Sequence, residues 1–201
     1  MNESIRPILI VIAGPNGSGK TSITQKVLQH EWLENCTYIN PDTIANEKFG
    51  NWNSPKAVLE AAEFAQQLRE DCLNKKEGII FETVMSSNEK IDFILKAKAN
   101  GYFIRIFFVG TDSPSINASR IAQRVLEGGH DVPIPKIISR FGKSIVNCCL
   151  LAKHVDRLYV YDNSIDHNEP QLLFRSNNGK LAKKYNGIKI WAEEIFNSIQ
   201  Y

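Results

Sequence analysis

An unbroken apolar run, Ile8-Leu9-Ile10-Val11-Ile12-Ala13, opens directly into Gly14-Pro15-Asn16-Gly17-Ser18-Gly19-Lys20-Thr21. The spacing is G-x-x-x-x-G-K-[ST] in a strand–loop–helix setting, and it constrains the fold more than any other feature of the chain. Gly14, Gly17 and Gly19 permit positive φ angles, so successive N–H groups turn into one concavity that suits phosphate oxygens. Pro15, Asn16 and Ser18 complete that loop, and the N-terminus of the next helix adds its positive dipole end there. Lys20 is placed to reach β- and γ-phosphates, and the Thr21 hydroxyl to ligate Mg²⁺. A glycine-rich turn without a ligand is the competing reading. It is the weaker one, because the full motif and both flanks fit. The loop is read as a nucleoside triphosphate site, with ATP and Mg²⁺ as the expected cofactors.

A chain of 201 residues with 43% apolar content suffices for one α/β domain spanning 1–201. Its net charge of +2 is too small to argue for nucleic acid or an anionic membrane as an obligatory partner. No apolar run approaches the roughly 20 residues of a membrane span. Residues 1–7 lack the apolar stretch of a signal peptide. Cys36, Cys72, Cys148 and Cys149 show neither metal-ligand spacing nor a disulfide framework, so reduced thiols in a cytoplasmic protein are expected.

Strands alternate with helices, the pattern of a parallel sheet covered on both faces. Strands are expected at about 8–13, 37–40, 78–83, 103–109 and 157–161. Helices are expected from Gly19 to near His30, from Pro55 to Lys76 with Ser54 as N-cap, and from a cap at Asn88 to about Gly101. Val58, Leu59, Ala62, Ala65 and Leu68 form the apparent apolar stripe of the long helix. Asn177-Asn178-Gly179 signals a hairpin. A last amphipathic helix carries Ile190, Trp191, Ile195 and Phe196.

Ligands of such sheets bind beyond the carboxyl ends of the strands. The second strand ends near Asp42, where a carboxylate could accept the proton of a substrate hydroxyl. Asp42 would serve equally as the N-cap of a helix starting at Pro41. The third strand ends in Glu82-Thr83; Glu82 is read as holding a metal-bound water or the substrate, since a buried glutamate without a partner is costly. Farther on, Asn117, Arg120, Arg124 and Glu127 line one side of a predicted helix, with Ile121, Ala122, Val125 and Leu126 opposite. After Gly128-Gly129-His130, a second helix sets Lys136, Arg140, Lys143 and Asn147 against Ile134, Ile137, Ile138, Phe141, Ile145 and Cys148. The pair, over about 113–150, reads as a mobile lid whose arginines neutralise a transferred phosphoryl group. Two solvated helix faces are the alternative. His130 is read as a turn residue.

In this order and spacing, the P-loop, Asn40-Pro41-Asp42, Phe81-Glu82-Thr83, Arg120, Arg124, Gly128-Gly129-His130-Asp131-Val132-Pro133, Arg140 and Tyr161-Asp162-Asn163-Ser164 resemble the zeta toxin family over about residues 8–179. The likeness is nearest to its compact members, often labelled ABC-type ATPases. The resemblance implies a three-layer P-loop kinase core like that of adenylate and shikimate kinases, with sheet order 2-3-1-4-5. It implies Mg-dependent transfer of the ATP γ-phosphate to a hydroxyl of a small molecule. Zeta toxins act on UDP-N-acetylglucosamine and are held inactive by a small antitoxin. Carried over by residue, Lys20 and Thr21 are the P-loop pair and Asp42 the catalytic base. Glu82 and Thr83 match the acid block that touches substrate or metal. Arg120 or Arg124, with Arg140, are the γ-phosphate arginines, and Asn163 lies near the adenine edge. Larger members carry added segments around the sugar-nucleotide site, so the acceptor stays open.

An ABC motor would need an LSGGQ-like loop and a strand ending in Asp-Glu, and the sequence has neither. Two alternatives to a small-molecule kinase remain: a polynucleotide or nucleoside 5′-kinase, which would want a basic groove lined with aromatics, and an ATP-binding regulatory protein without transferase activity.

Overall fold

The computed structural model describes residues 6–29, 33, 35–50 and 54–199. Five strands, β1 (Ile8–Ala13), β2 (Cys36–Ile39), β3 (Gly78–Thr83), β4 (Phe103–Gly110) and β5 (Arg157–Asp162), pair in parallel in the order β2-β3-β1-β4-β5. That is the expected kinase order. The hairpin β6 (Gln171–Asn177) and β7 (Lys180–Lys184) adds to the sheet antiparallel beside β5, giving seven strands. β1 reads as a continuous apolar run because it lies at the centre, and Leu9 to Ala13 are fully buried.

The helices are α1 (Lys20–Leu28), α2 (Pro41–Phe49), α3 (Pro55–Lys75), α4 (Asn88–Ala99), α5 (Pro114–Leu126), α6 (Ile134–Ala152) and the short α7 (Glu193–Ser198), which follows a 3-10 turn at Ile190–Ala192. On one face of the sheet, Ala65 of α3, Phe93 of α4, Cys148 of α6 and Ile195 of α7 join Leu9, Phe81, Phe108 and Leu158 in the main core. On the other face, Ile23 and Val27 of α1 pack on Ile10, Ile12, Ile80, Phe107 and Val109. Among the described residues no helix is long and apolar enough to cross a membrane, and all four cysteines are free.

Several expected helix faces are turned. The expected end of α1 near His30 lies outside the described residues. Asn88 is the first residue of α4 rather than its cap, which is Ser87. In α3 the buried stripe is Ala57, Ala61, Ala65, Arg69 and Cys72, whereas Val58 and Leu59 are exposed. Small alanines let this helix approach the sheet closely, and Arg69 is accommodated between the Phe81 and Phe93 rings, 5.3 and 5.4 Å from their centroids. Its guanidinium donates to Glu89 at 2.8 Å. A pattern search that equates charge with solvent misses such a stripe. Likewise Ala122, Val125 and Leu126 of α5 face solvent, as do Ile134 and Ile138 of α6, while Asn117 and Asn147 are buried. Ile190 is also exposed, and Trp191 and Ile195 carry the packing instead.

The lower end of the sheet is tied by Asp156, which is buried. Its Oδ2 accepts from the Ile104 N–H at 2.8 Å and from Lys98 at 2.8 Å, and its Oδ1 from Arg6 at 3.3 Å. Burial pushes the carboxyl up, but the Lys98 and Ile104 hydrogen bonds and the Lys98 and Arg6 charges outweigh it, leaving the pKa depressed. A depressed folded pKa gives stability that is present above the unfolded value, about 3.9, and lost as pH falls through the folded one. Asp156→Asn is therefore expected to be less stable at neutral pH and to lose less stability on acidification below about pH 4. Urea midpoints of both proteins across the acid range check this.

Candidate active site

The P-loop adopts the conformation its glycines allow, with φ of 149° at Gly14, 75° at Gly17 and 86° at Gly19. No other residue fits these positions. A Cβ at Gly14 would run into the Val109 carbonyl, at Gly17 into the Asn117 carbonyl, and at Gly19 into the Asn163 amide. The loop is braced from three sides. Asn117 of α5 donates to the Asn16 carbonyl at 2.6 Å and itself accepts from Thr111 Oγ1. Asn163 donates its Nδ2 to the Ser18 carbonyl at 2.8 Å, and the Gly14 N–H reaches the Thr83 carbonyl at 3.3 Å. Asn163, expected at an adenine edge, spends one amide N–H on the loop and also lines the neighbouring cleft. Asp162 is structural too, accepting from Trp191 Nε1 at 3.0 Å and Ser164 Oγ at 2.6 Å.

Lys20, at the start of α1, is folded back onto the loop and donates to the Gly14 and Pro15 carbonyls at 3.0 and 3.1 Å. Burial lowers its pKa; Glu82 and Asp42 act the other way, and the Arg124 charge lowers it further. One ammonium therefore feels both expected acids and one of the expected arginines. Thr21 is exposed beside it in the cleft wall.

Asp42 is not the cap of α2. Asn40 holds that position, its Oδ1 accepting from the N–H groups of Asp42 and Thr43 at 2.9 and 3.5 Å. Asp42 sits in the first helical turn, exposed, with its carboxylate in the cleft wall. Asn40 also donates its Nδ2 to the Tyr38 hydroxyl at 3.1 Å, and Tyr38 donates to Glu82 Oε1 at 2.6 Å. Thr24 adds a second hydrogen bond to the same oxygen at 2.8 Å. Burial, then the bond to Glu82, raises the Tyr38 pKa well above that of a free phenol. This relay, in which Asn40 ties the Asp42 turn to Glu82 through Tyr38, has no motif in the sequence. Asn40→Ala is expected to cost about 1 kcal/mol through the lost cap, read as a lower urea midpoint at unchanged slope.

Thr83 lines the cleft, but its hydroxyl accepts from the Met85 N–H at 2.9 Å and shapes the turn after β3. Asn147 secures that turn by donating to the Met85 carbonyl at 2.9 Å. Of the three arginines, Arg140 makes a long contact with Asn16 Oδ1, 3.4 Å. Arg124 donates to the His130 carbonyl at 2.6 Å, so the Gly-Gly turn serves to hold that guanidinium. Arg120 pairs with Asp166, Nε to Oδ1 at 2.7 Å. Arg120 Nη1 and Arg124 Nε are buried without a hydrogen-bond partner.

Two clefts meet at Gly19. One, of about 860 Å³, contains Lys20, Thr21, Asp42, Glu82, Lys90 and Arg140. The other, of about 1120 Å³, lies between α1, α5 and the loop after β5. Arg120 and Arg124 border both. A nest of N–H groups, a half-buried ammonium and unspent guanidinium donors form a set matched to a polyphosphate.

A family model for zeta toxin matches residues 1–178. An uncharacterized protein of Haemophilus influenzae (strain Rd) is 31% identical over 124 residues, covering 60% of this chain and 83% of that protein. The solved structure of the PezAT chromosomal toxin–antitoxin system of Streptococcus pneumoniae matches with a TM-score of 0.64 at 16% identity, over 98% of this chain and 79% of that chain. The AvrRxo1-ORF1:-ORF2 structure with ATP matches with a TM-score of 0.65 at 16% identity, over 98% of this chain but 64% of that chain. At such identities the two structures speak for the fold; the family rests on the sequence match. Because that match takes in the P-loop, both strand-end acids and all three arginines, the chain belongs to the zeta toxin family and is a P-loop kinase.

Proposed function

We propose that the chain transfers the γ-phosphoryl group of ATP to a hydroxyl of a small-molecule acceptor, a UDP-activated amino sugar, and acts as the toxin of a toxin–antitoxin pair in the cytoplasm. The observation that carries this is that Lys20, Asp42, Glu82 and Arg124 line one cleft. In this reading Lys20, Arg124 and Arg140 hold the phosphate oxygens and spread the charge that builds on the transferred group. Asp42 accepts the acceptor's hydroxyl proton as its oxygen attacks. Tyr38 and Thr24 occupy Glu82 Oε1, which fixes the carboxylate and leaves its other oxygen for the ligand. Thr21 and Glu82 would hold Mg²⁺, which when bound neutralises phosphate charge. The acceptor lies on the side of Ser86, Ser87 and Lys90. Support for a partner comes from the neighbours: PezAT is a toxin–antitoxin system, and AvrRxo1-ORF1 is seen with ORF2 and ATP.

The test is γ-labelled ATP with Mg²⁺ against a panel of UDP-amino sugars, nucleosides and oligonucleotide 5′ ends. Label on a UDP-amino sugar is the expected result. Label on oligonucleotide ends, or ATP binding with no acceptor labelled, would replace the reading with one of its alternatives.

A further inference from the structure

The sheet is covered unevenly. On the α1 side the buried cluster reaches Phe107 and Val109 of β4, with Tyr159 and Tyr161 of β5 only partly buried at its margin. Beyond it, Arg157, Arg175 and Asn177 on the same side are half-buried, and Lys180 and Lys183 are exposed. The register brings these residues into rows. Arg105 stands beside Arg157, Arg157 beside Asn177, and Asn177 beside Lys180. In the next row Phe107, Tyr159, Arg175 and Lys183 follow one another.

Like charges side by side on neighbouring strands weaken a sheet, and here Arg175 and Lys183 are retained as neighbours. The four strands contain one acid, Asp162, and its carboxylate is taken by Trp191 on the opposite face. Lysines on the edge strand β7 have an ordinary explanation in blocking edge-to-edge association. That explanation does not extend to Arg157, which lies on an inner strand. The arginines are interleaved with rings: Arg157 lies 5.7 Å from the Phe103 centroid, and Phe107 and Tyr159 stack at 4.9 Å and 11°. Arg175 Nε and Asn177 Oδ1 are buried without a hydrogen-bond partner. A net charge of +2 conceals this one-sided distribution.

We propose that this face of β4–β7 binds single-stranded nucleic acid, with Arg157, Arg175, Lys180 and Lys183 on phosphates and Tyr159 and Tyr161 against bases. Charge complementarity calls for a polyanion, and aromatic rings alternating with guanidinium groups on an open sheet select one whose units carry flat π-faces. An acidic peptide or an anionic lipid surface would use the charges and leave the rings idle. The inference is independent of the kinase reading, since the face lies on the strands and not in the clefts beyond their carboxyl ends.

The experiment is fluorescence anisotropy of the full chain with 3′-labelled oligo-U RNA and oligo-T DNA at two salt concentrations. Dissociation constants of about 10⁻⁶–10⁻⁵ M are expected, weakening with salt by about 0.7 log units per tenfold salt for each phosphate contact. Saturating ATP should not displace the oligonucleotide. The Lys180→Ser/Lys183→Ser protein, altered only at exposed positions, should show a salt slope shallower by about 1.4. Arg157→Ala/Arg175→Ala and Tyr159→Leu should each bind roughly tenfold more weakly. If those variants fail to fold by thermal melting, the lysine pair decides alone. Absence of binding at low salt, unchanged affinity in the folded variants, or displacement by ATP would overturn the proposal. So would equal competition by polyglutamate, or retention on phosphatidylserine vesicles without oligonucleotide binding. Preference for RNA or DNA identifies the strand.

Discussion

Asp42→Asn is expected to lower phosphoryl transfer by about 10²–10⁴-fold, the usual contribution of a positioned general base, while ATP still binds. The structure makes this substitution unusually clean. A helix cap would have confounded it, but Asn40 and not Asp42 accepts the first N–H groups of α2, so the amide should leave the helix and its stability intact. Asp42 is also one of the two carboxylates that support the Lys20 ammonium against burial. Glu82 remains to do so in the variant, and the Lys20 contacts with Gly14 and Pro15 are untouched. Single-turnover transfer to the acceptor, run beside ATP binding, separates the roles. A loss of rate with unchanged ATP affinity marks a group that acts on the acceptor proton. Transfer at the wild-type rate would remove Asp42 as base.

What could be read from the sequence and what could not divides along a physical line. The P-loop, the strand-end acids and the hairpin were legible because each rests on a local rule, whereas the order of the five parallel strands came only from the family resemblance. Glycines must sit where φ is positive, a central strand must be apolar throughout, and a hairpin needs its Asn-Gly turn. The supports of the site were illegible because their partners are remote in sequence. Asn117 looks like one more polar residue on the outer side of α5, yet it is fully buried and braces the carbonyl of Asn16, 101 residues away. Asn147 and Arg69 deceive in the same way, and their burial turned the expected faces of α6 and α3. A polar side chain goes inside when a backbone group or a carboxylate there would otherwise lack a partner, and sequence periodicity carries no record of that need. Asn163 shows the same. It falls in a suggestive loop, and one N–H of its amide braces the Ser18 carbonyl, a support that the letters do not announce. Tyr38 could have been suspected, since it precedes Asn40 by one alternation on the strand that ends at the site; nothing in the letters pointed its hydroxyl at Glu82.

The two neighbouring α5 arginines, which the sequence left interchangeable, are expected to fail differently when removed. Both belong to α5 and border both clefts, but their surroundings differ. The Arg124 charge acts on Lys20 itself, and the His130 carbonyl holds its guanidinium at 2.6 Å with Nε left unspent. Arg120 is drawn the other way, toward Asp166 in the loop after β5, on the cleft away from Asp42 and Glu82. An arginine beside the P-loop lysine meets the transferred phosphoryl group as its charge develops, a role worth about 10³-fold or more in comparable enzymes. Arg124→Ala should therefore cost transfer on that order, mostly in kcat, and Arg124→Lys should restore little, because an ammonium cannot bridge the His130 carbonyl and a phosphate as a planar fork does. Arg120→Ala should instead raise KM for ATP roughly tenfold with kcat nearly unchanged, the signature of binding shared by ground and transition states. Steady-state constants for the three variants with ATP varied distinguish the assignments. An exchanged pattern would mean that the Arg120–Asp166 pair opens when ATP binds and that Arg120 swings onto the phosphates.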